Sequence, residues 1–158
     1  MIALRALGRD ERGASVVELA LIAPVLASLF VGMVDISRAY SFRLGLEQVV
    51  QRSIEKVMQY QESTSTYSTL HNETVIAANA AGYTDVASGD VVLDYWLECA
   101  GVRQASYDTN CSAGVAYARY VQVSVSSDFE PLFGTELFPG ANSDGNFTIT
   151  ARAGMRTQ

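Results

Sequence analysis

The stretch DERGASVVELALIAPVLASLFVGMVD, Asp10 to Asp35, decides how the rest of the chain is read. From Val16 to Val34 its one charged residue is Glu18. At about 1.5 Å per residue, a helix from Ala14 to Val34 covers roughly the thickness of a bilayer core. A carboxylate inside such a run costs free energy unless it stays near the membrane edge or meets a positive partner. Glu18 lies near one end, so it either snorkels to the headgroups or waits for a cation.

The flanks orient the segment. Arg5, Arg9 and Arg12 precede it, mixed with Asp10 and Glu11, which places the start of the chain on the cytoplasmic side. A cleaved secretory signal peptide would need a small-residue cleavage site after the apolar stretch. The sequence there is Val34-Asp35-Ile36-Ser37-Arg38, and the pattern runs on without a break. An uncleaved signal anchor is the plain reading of the run. Pro24 removes one donor within it and crowds the carbonyl of Ala20. Membrane helices tolerate this, so Pro24 marks a gentle kink before it marks a segment built to melt.

Composition bounds the remainder of the chain. It has 158 residues, 49% of them hydrophobic, and a formal net charge of -6. That suffices for one modest core and excludes a disordered chain. Acidic residues outnumber Lys and Arg about two to one from Glu47 onward, and no basic stripe interrupts them. Nucleic acid is therefore not an expected partner. The cysteines are Cys99 and Cys111. If the apolar run exports the remainder, a disulfide between them is the default. A metal site would need a third and fourth ligand, and the single histidine, His71, is far off in sequence.

Residues Ile36 to Tyr60 become amphipathic. Ile36, Tyr40, Leu44, Val50, Ile54, Val57 and Met58 are read as the apolar stripe, with Arg52, Glu55 and Lys56 paired on the surface. The Ser/Thr-rich QESTSTYSTLHNE, Gln61 to Glu73, is read as helix end and loop. HNETVIAANAAG is read as a short helix with Asn72 as N-cap and Gly82 as C-cap. Three strands come next: Asp90–Ala100, Tyr120–Ser127 and Asn146–Met155, each alternating apolar with polar residues. Pro131, Pro139 and GANSDGN supply turns between the last two. The fold class is α+β, a long N-terminal helix packed on a small, one-sided antiparallel sheet.

Catalytic chemistry finds no foothold. His71 has no activating neighbours in sequence and is read as a lone surface histidine; no phosphate loop or dinucleotide fingerprint is present. Asn142, Asp144 and Asn146 alternate as in a calcium loop but lack its terminal glutamate, so a turn explains them. No cofactor and no metal is expected.

Gly13-Ala14-Ser15-Val16-Val17-Glu18 resembles the class III signal cut by prepilin peptidases, in which a charged leader ends in Gly and Glu is the fifth mature residue. The whole start, with Arg12-Gly13, Val17-Glu18, Pro24, Asp35, Arg38 and Tyr40, resembles TadE-like proteins, minor pilins or pseudopilins of the tight-adherence pilus. RYVQVSVSSDFEPLF and NFTITARAGMR are similar to that family's paired C-terminal strands. The resemblance implies a leader at 1–13, a transmembrane helix at 14–35 and a pilin-like head at 36–158. It implies cleavage between Gly13 and Ala14, with Glu18 docking subunits through the new α-amino group. It also implies a bacterial inner-membrane protein with a periplasmic head, entering a pilus and serving its adhesion. Its partners would be a prepilin peptidase, other pilins and the inner-membrane assembly platform. A type II secretion pseudopilin shares the leader but not the match at both ends. The competing class is an uncleaved, signal-anchored binding protein.

Overall fold

The apolar run and the amphipathic segment after it form one helix, α1, Arg12–Gln59, in the computed structural model of the chain. The structure describes residues 12–59, 67–132 and 140–157. Residues 1–11, most of the leader expected at 1–13, the segment 60–66 and Pro139 lie outside them. The chain divides into two compact units, Met1–Arg38 and Ala39–Gln158.

In the second unit the order is the remainder of α1, then α2 (Tyr67–Ala80), a single 3-10 turn (Ser88–Asp90), β1 (Val91–Cys99), β2 (Val102–Arg103), β3 (Tyr117–Phe129) and β4 (Phe147–Arg156). All strand pairs are antiparallel, in the order β2-β1-β3-β4. The fold is therefore α+β, with the long helix packed on a small antiparallel sheet. The core lies between them. Val121, Val123 and Val125 of β3 are fully buried, with Ala151 and Ala153 of β4 beside them and Leu46, Val50 and Ile54 of α1 above. Alternation in β3 sends one residue in two to that face, and burial of each such side chain is worth about 1.5–3 kcal/mol.

The stripe of α1 differs from the one expected. Leu46, Val49, Val50, Ser53, Ile54 and Val57 are buried, while Ile36, Tyr40 and Leu44 are 73%, 63% and 41% exposed. The reason is helical phase. The six-residue step from Leu44 to Val50 turns the helix by about 240°, so the two sets cannot share one face. Lys56 also turns elsewhere: its Nζ donates to Glu73 Oε2 at 3.0 Å, joining α1 to α2.

Helix α2 begins earlier than expected, and Asn72 lies inside it instead of capping it. Leu70, Thr74 and Ala78, four apart, carry its buried face; the Thr74 hydroxyl donates to Leu70 O at 2.7 Å, which makes a polar residue tolerable there. At the other end Gly82 has φ +101°. Its N–H donates to Asn79 O and that of Tyr83 to Ala78 O, the paired bonds of a glycine-terminated helix. The polypeptide turns there into Tyr83, whose ring meets Phe42 edge to face at 4.9 Å and whose hydroxyl donates to Phe42 O at 2.8 Å.

Burial raises the Tyr83 phenol above its ordinary value of 10.0. The neutral form is thus favoured in the folded state, and its contribution is complete below pH 10 and lost as pH rises through the folded value. Chemical denaturation is expected to show stability falling more steeply above pH 10 in the native chain than in Tyr83→Phe. Equal slopes would contradict this.

Candidate functional site

In the first unit, none of the described residues 15–38 is buried. Val17, Leu21, Leu29, Phe30 and Met33 stand 61–72% exposed around α1. Among the described residues this is the one helix long and apolar enough to cross a membrane. Gly13 and Ala14 lie in its first turn, and Glu18 lies four residues beyond Ala14. Glu18 is exposed amid apolar neighbours.

Pro24 does not interrupt α1. Its missing N–H withdraws one donor from the ladder, but four residues on the Ser28 hydroxyl donates to Pro24 O at 2.8 Å and Val25 O at 3.0 Å. Sequence reasoning does not single out this Pro-x-x-x-Ser pair, although the spacing of four is an available signal. At the far end of the apolar run, Arg38 Nη1 donates to Asp35 Oδ1 at 3.2 Å, an i,i+3 pair that offsets charge where the run ends.

The remaining candidates lie in the second unit. Cys99 ends β1, and it is joined to Cys111 by a disulfide with Cα atoms 5.7 Å apart. The bridge ties down the loop between β2 and β3. Arg119 Nε donates into the same loop at Tyr107 O, and Tyr107 packs edge to face on Tyr95. His71 is not the free surface residue expected from sequence. It is half-buried, with Nε2 3.0 Å from Ser88 O and 3.1 Å from Val91 O, so its N–H bridges α2 to the start of β1. Asn142 forms a turn: its Oδ1 accepts the N–H groups of Asp144 and Asn146 at 3.1 and 2.9 Å. Among the described residues no cluster of three His, Cys, Asp or Glu side chains is placed to hold a metal.

One unit thus holds an apolar helix with Glu18 near its start, and the other a disulfide-stapled helix-on-sheet fold. The model of the TadE-like protein family matches residues 13–54, so the TadE-like likeness holds over Gly13, Glu18, Pro24, Asp35, Arg38 and Tyr40. The match stops before the segments compared with the family's C-terminal strands; those two form β3 and β4, paired throughout. Neither the curated proteins nor the solved structures gave a match. The match makes the first part of the chain similar to TadE-like proteins. The apolar helix fits a membrane anchor.

Proposed function

We propose that the chain is a minor pilin or pseudopilin of the tight-adherence pilus, cut between Gly13 and Ala14 by a prepilin peptidase, that assembles or primes the filament and contributes to surface adhesion. The observation that carries this reading is the TadE-like match, which begins at Gly13, the residue that ends the leader, and takes in Glu18. Cleavage creates an α-amino group that is positively charged near neutral pH. In an apolar setting it pairs with the Glu18 carboxylate of a neighbouring subunit, and weak screening makes that pair more consequential than in water. The protein carries out no reaction of its own. Its head remains on the periplasmic side until the subunit is drawn into the pilus, and its partners are the peptidase, sister pilins and the assembly platform.

The test is the intact mass and N-terminal sequence of the membrane-extracted protein, with and without the peptidase. The expected start is Ala14 with peptidase and Met1 without it, and Gly13→Ala retains Met1 in both. A Met1 start in every sample would leave an uncleaved signal-anchored binding protein instead.

A further inference from the structure

A charge stands where the sheet otherwise faces the core. Along β3 the odd positions Val121, Val123 and Val125 are buried, and the same row begins with Tyr117 and Arg119. Arg119 pairs across to Leu97 of β1, which is 1% exposed, and is itself half-buried. A guanidinium drawn out of water needs acceptors for its donors. It finds them in the loop that the disulfide closes. Nε donates to Tyr107 O at 3.3 Å, and Nη2 donates to Thr109 O at 3.2 Å. The guanidinium carbon lies 5.5 Å from the Tyr107 ring centroid and 5.9 Å from that of Tyr117, within cation–π range.

Main-chain bonds hold the two ends of the loop. Ala100 and Gly101, at φ +50° and +80°, form the two-residue turn that folds β2 back on β1. Gln104 N–H extends that hairpin by donating to Leu97 O at 2.7 Å. Toward β3, Val115 N–H donates to Ser112 O at 3.1 Å, and Ala100 N–H reaches across to Ala116 O at 2.8 Å. Arg119 grips the stretch between, where the Tyr107 ring also packs on Tyr95. Asn110 is the residue that separates Thr109 from Cys111.

Each of these contacts is non-covalent, and none involves sulfur. Together they fix the path of the chain from Cys99 to Cys111, 12 residues apart in sequence, whose Cα atoms lie 5.7 Å from one another. Closing a flexible loop costs chain entropy, whereas a loop already ordered has lost that entropy beforehand.

We propose that Arg119 is a positioning residue for the Cys99–Cys111 bridge. Its guanidinium holds the main chain at Tyr107 and Thr109, so that the two thiols already lie together before oxidation. The bridge then locks a loop that is folded without it, and reduction alone does not open the loop. The covalent step is exchange with a disulfide oxidant such as oxidised glutathione. One cysteine thiolate attacks a sulfur of the oxidant and releases a thiol; the other then attacks the mixed disulfide and releases a second. Two protein thiols are oxidised, one oxidant disulfide is reduced, and the two protons pass to the released thiols. Arg119 exchanges neither proton nor electron. This role goes beyond the pilin reading and stands whether or not Gly13 is cleaved.

The test equilibrates the full chain, in detergent micelles, with mixtures of reduced and oxidised glutathione. Free thiols are counted by alkylation and mass spectrometry, which gives the effective concentration of one cysteine at the other. Arg119→Met keeps an apolar stem and removes the donors, and its effective concentration should fall about tenfold. Arg119→Lys keeps the charge without the planar fork and should fall between the two. In the native chain with both thiols reduced, nuclear Overhauser contacts between the Tyr95 and Tyr107 rings should persist; in reduced Arg119→Met they should be lost. Equal effective concentrations in the native chain and Arg119→Met would make the arginine merely structural and overturn the proposal. Loss of the ring contacts on reduction of the native chain would overturn it too, since the bridge would then make the loop. If Arg119→Met fails to fold, Arg119→Lys and the reduced native chain decide.

Discussion

Gly45→Ala destabilises the head, although helix propensity alone favours it by about 1 kcal/mol. Gly45 lies in α1 one turn after Phe42, and a Cβ built on it collides with the Tyr83 hydroxyl. That hydroxyl is the end of a rigid, buried ring that donates to Phe42 O and packs on the Phe42 ring, which in turn meets Phe129 at 5.6 Å. The ring cannot swing aside without opening this aromatic cluster. Loss of the hydrogen bond costs about 0.5–1.5 kcal/mol and forced repacking about 1–3 kcal/mol. Together they outweigh the propensity gain, for a net loss of about 1–3 kcal/mol. The cause is specific, so it has a specific rescue. Tyr83→Phe removes the colliding atom and leaves the ring carbon at 3.4 Å, an ordinary contact. The double variant should therefore melt above Gly45→Ala alone in detergent-solubilised thermal denaturation. A Gly45→Ala protein more stable than the native chain would refute this cause.

Gly45 looks like an ordinary helix-weakening residue until its distant neighbour is known. Periodicity yields the helix, the strands and the fold class, because alternation in Val121, Val123 and Val125 is a local property that folding preserves. The phase of α1 is not recovered when one stripe is carried across a six-residue step, and the exposed Tyr40 and Leu44 belong to another face. No local pattern supplies register. Trp96 and Tyr120 stack at 5.1 Å with Arg103 4.8 Å from the Trp96 ring, since β1 pairs Trp96 with Tyr120. The outer face expected to be simply polar thus carries an aromatic stack. His71 escapes sequence reading for the same reason: its carbonyl partners lie 17 and 20 residues away. The anchor segment is more legible. Gly13, Glu18 and Pro24 are informative in linear order, because the family likeness and the apolar run are both properties of a contiguous stretch. Ser28 goes unnoticed there although it lies only four residues from Pro24.

If the chain is the pilin proposed above, Glu18→Gln is expected to yield a protein that is cut after Gly13 and inserted in the membrane but lost from the filament. The substitution keeps size and hydrogen-bonding capacity and removes the charge. In the pilin reading, the amine created at Ala14 must then enter an apolar subunit contact without its counter-ion. Leaving one member of a buried ion pair alone is strongly destabilising, and docking should weaken on the order of a hundredfold. Glu18→Asp retains the charge but shortens the reach, so it should fall between the two. The measurement compares sheared-filament and membrane fractions by quantitative mass spectrometry, scoring the peptide that begins at Ala14 in each. A correct start at Ala14 in the membrane fraction separates failed docking from failed cleavage. If Glu18→Gln reaches the filament at the native level, the carboxylate merely snorkels and subunit docking rests on packing of the apolar helix. If it accumulates uncut, Glu18 acts in recognition by the peptidase, and the charge pair is not what the substitution disrupts first.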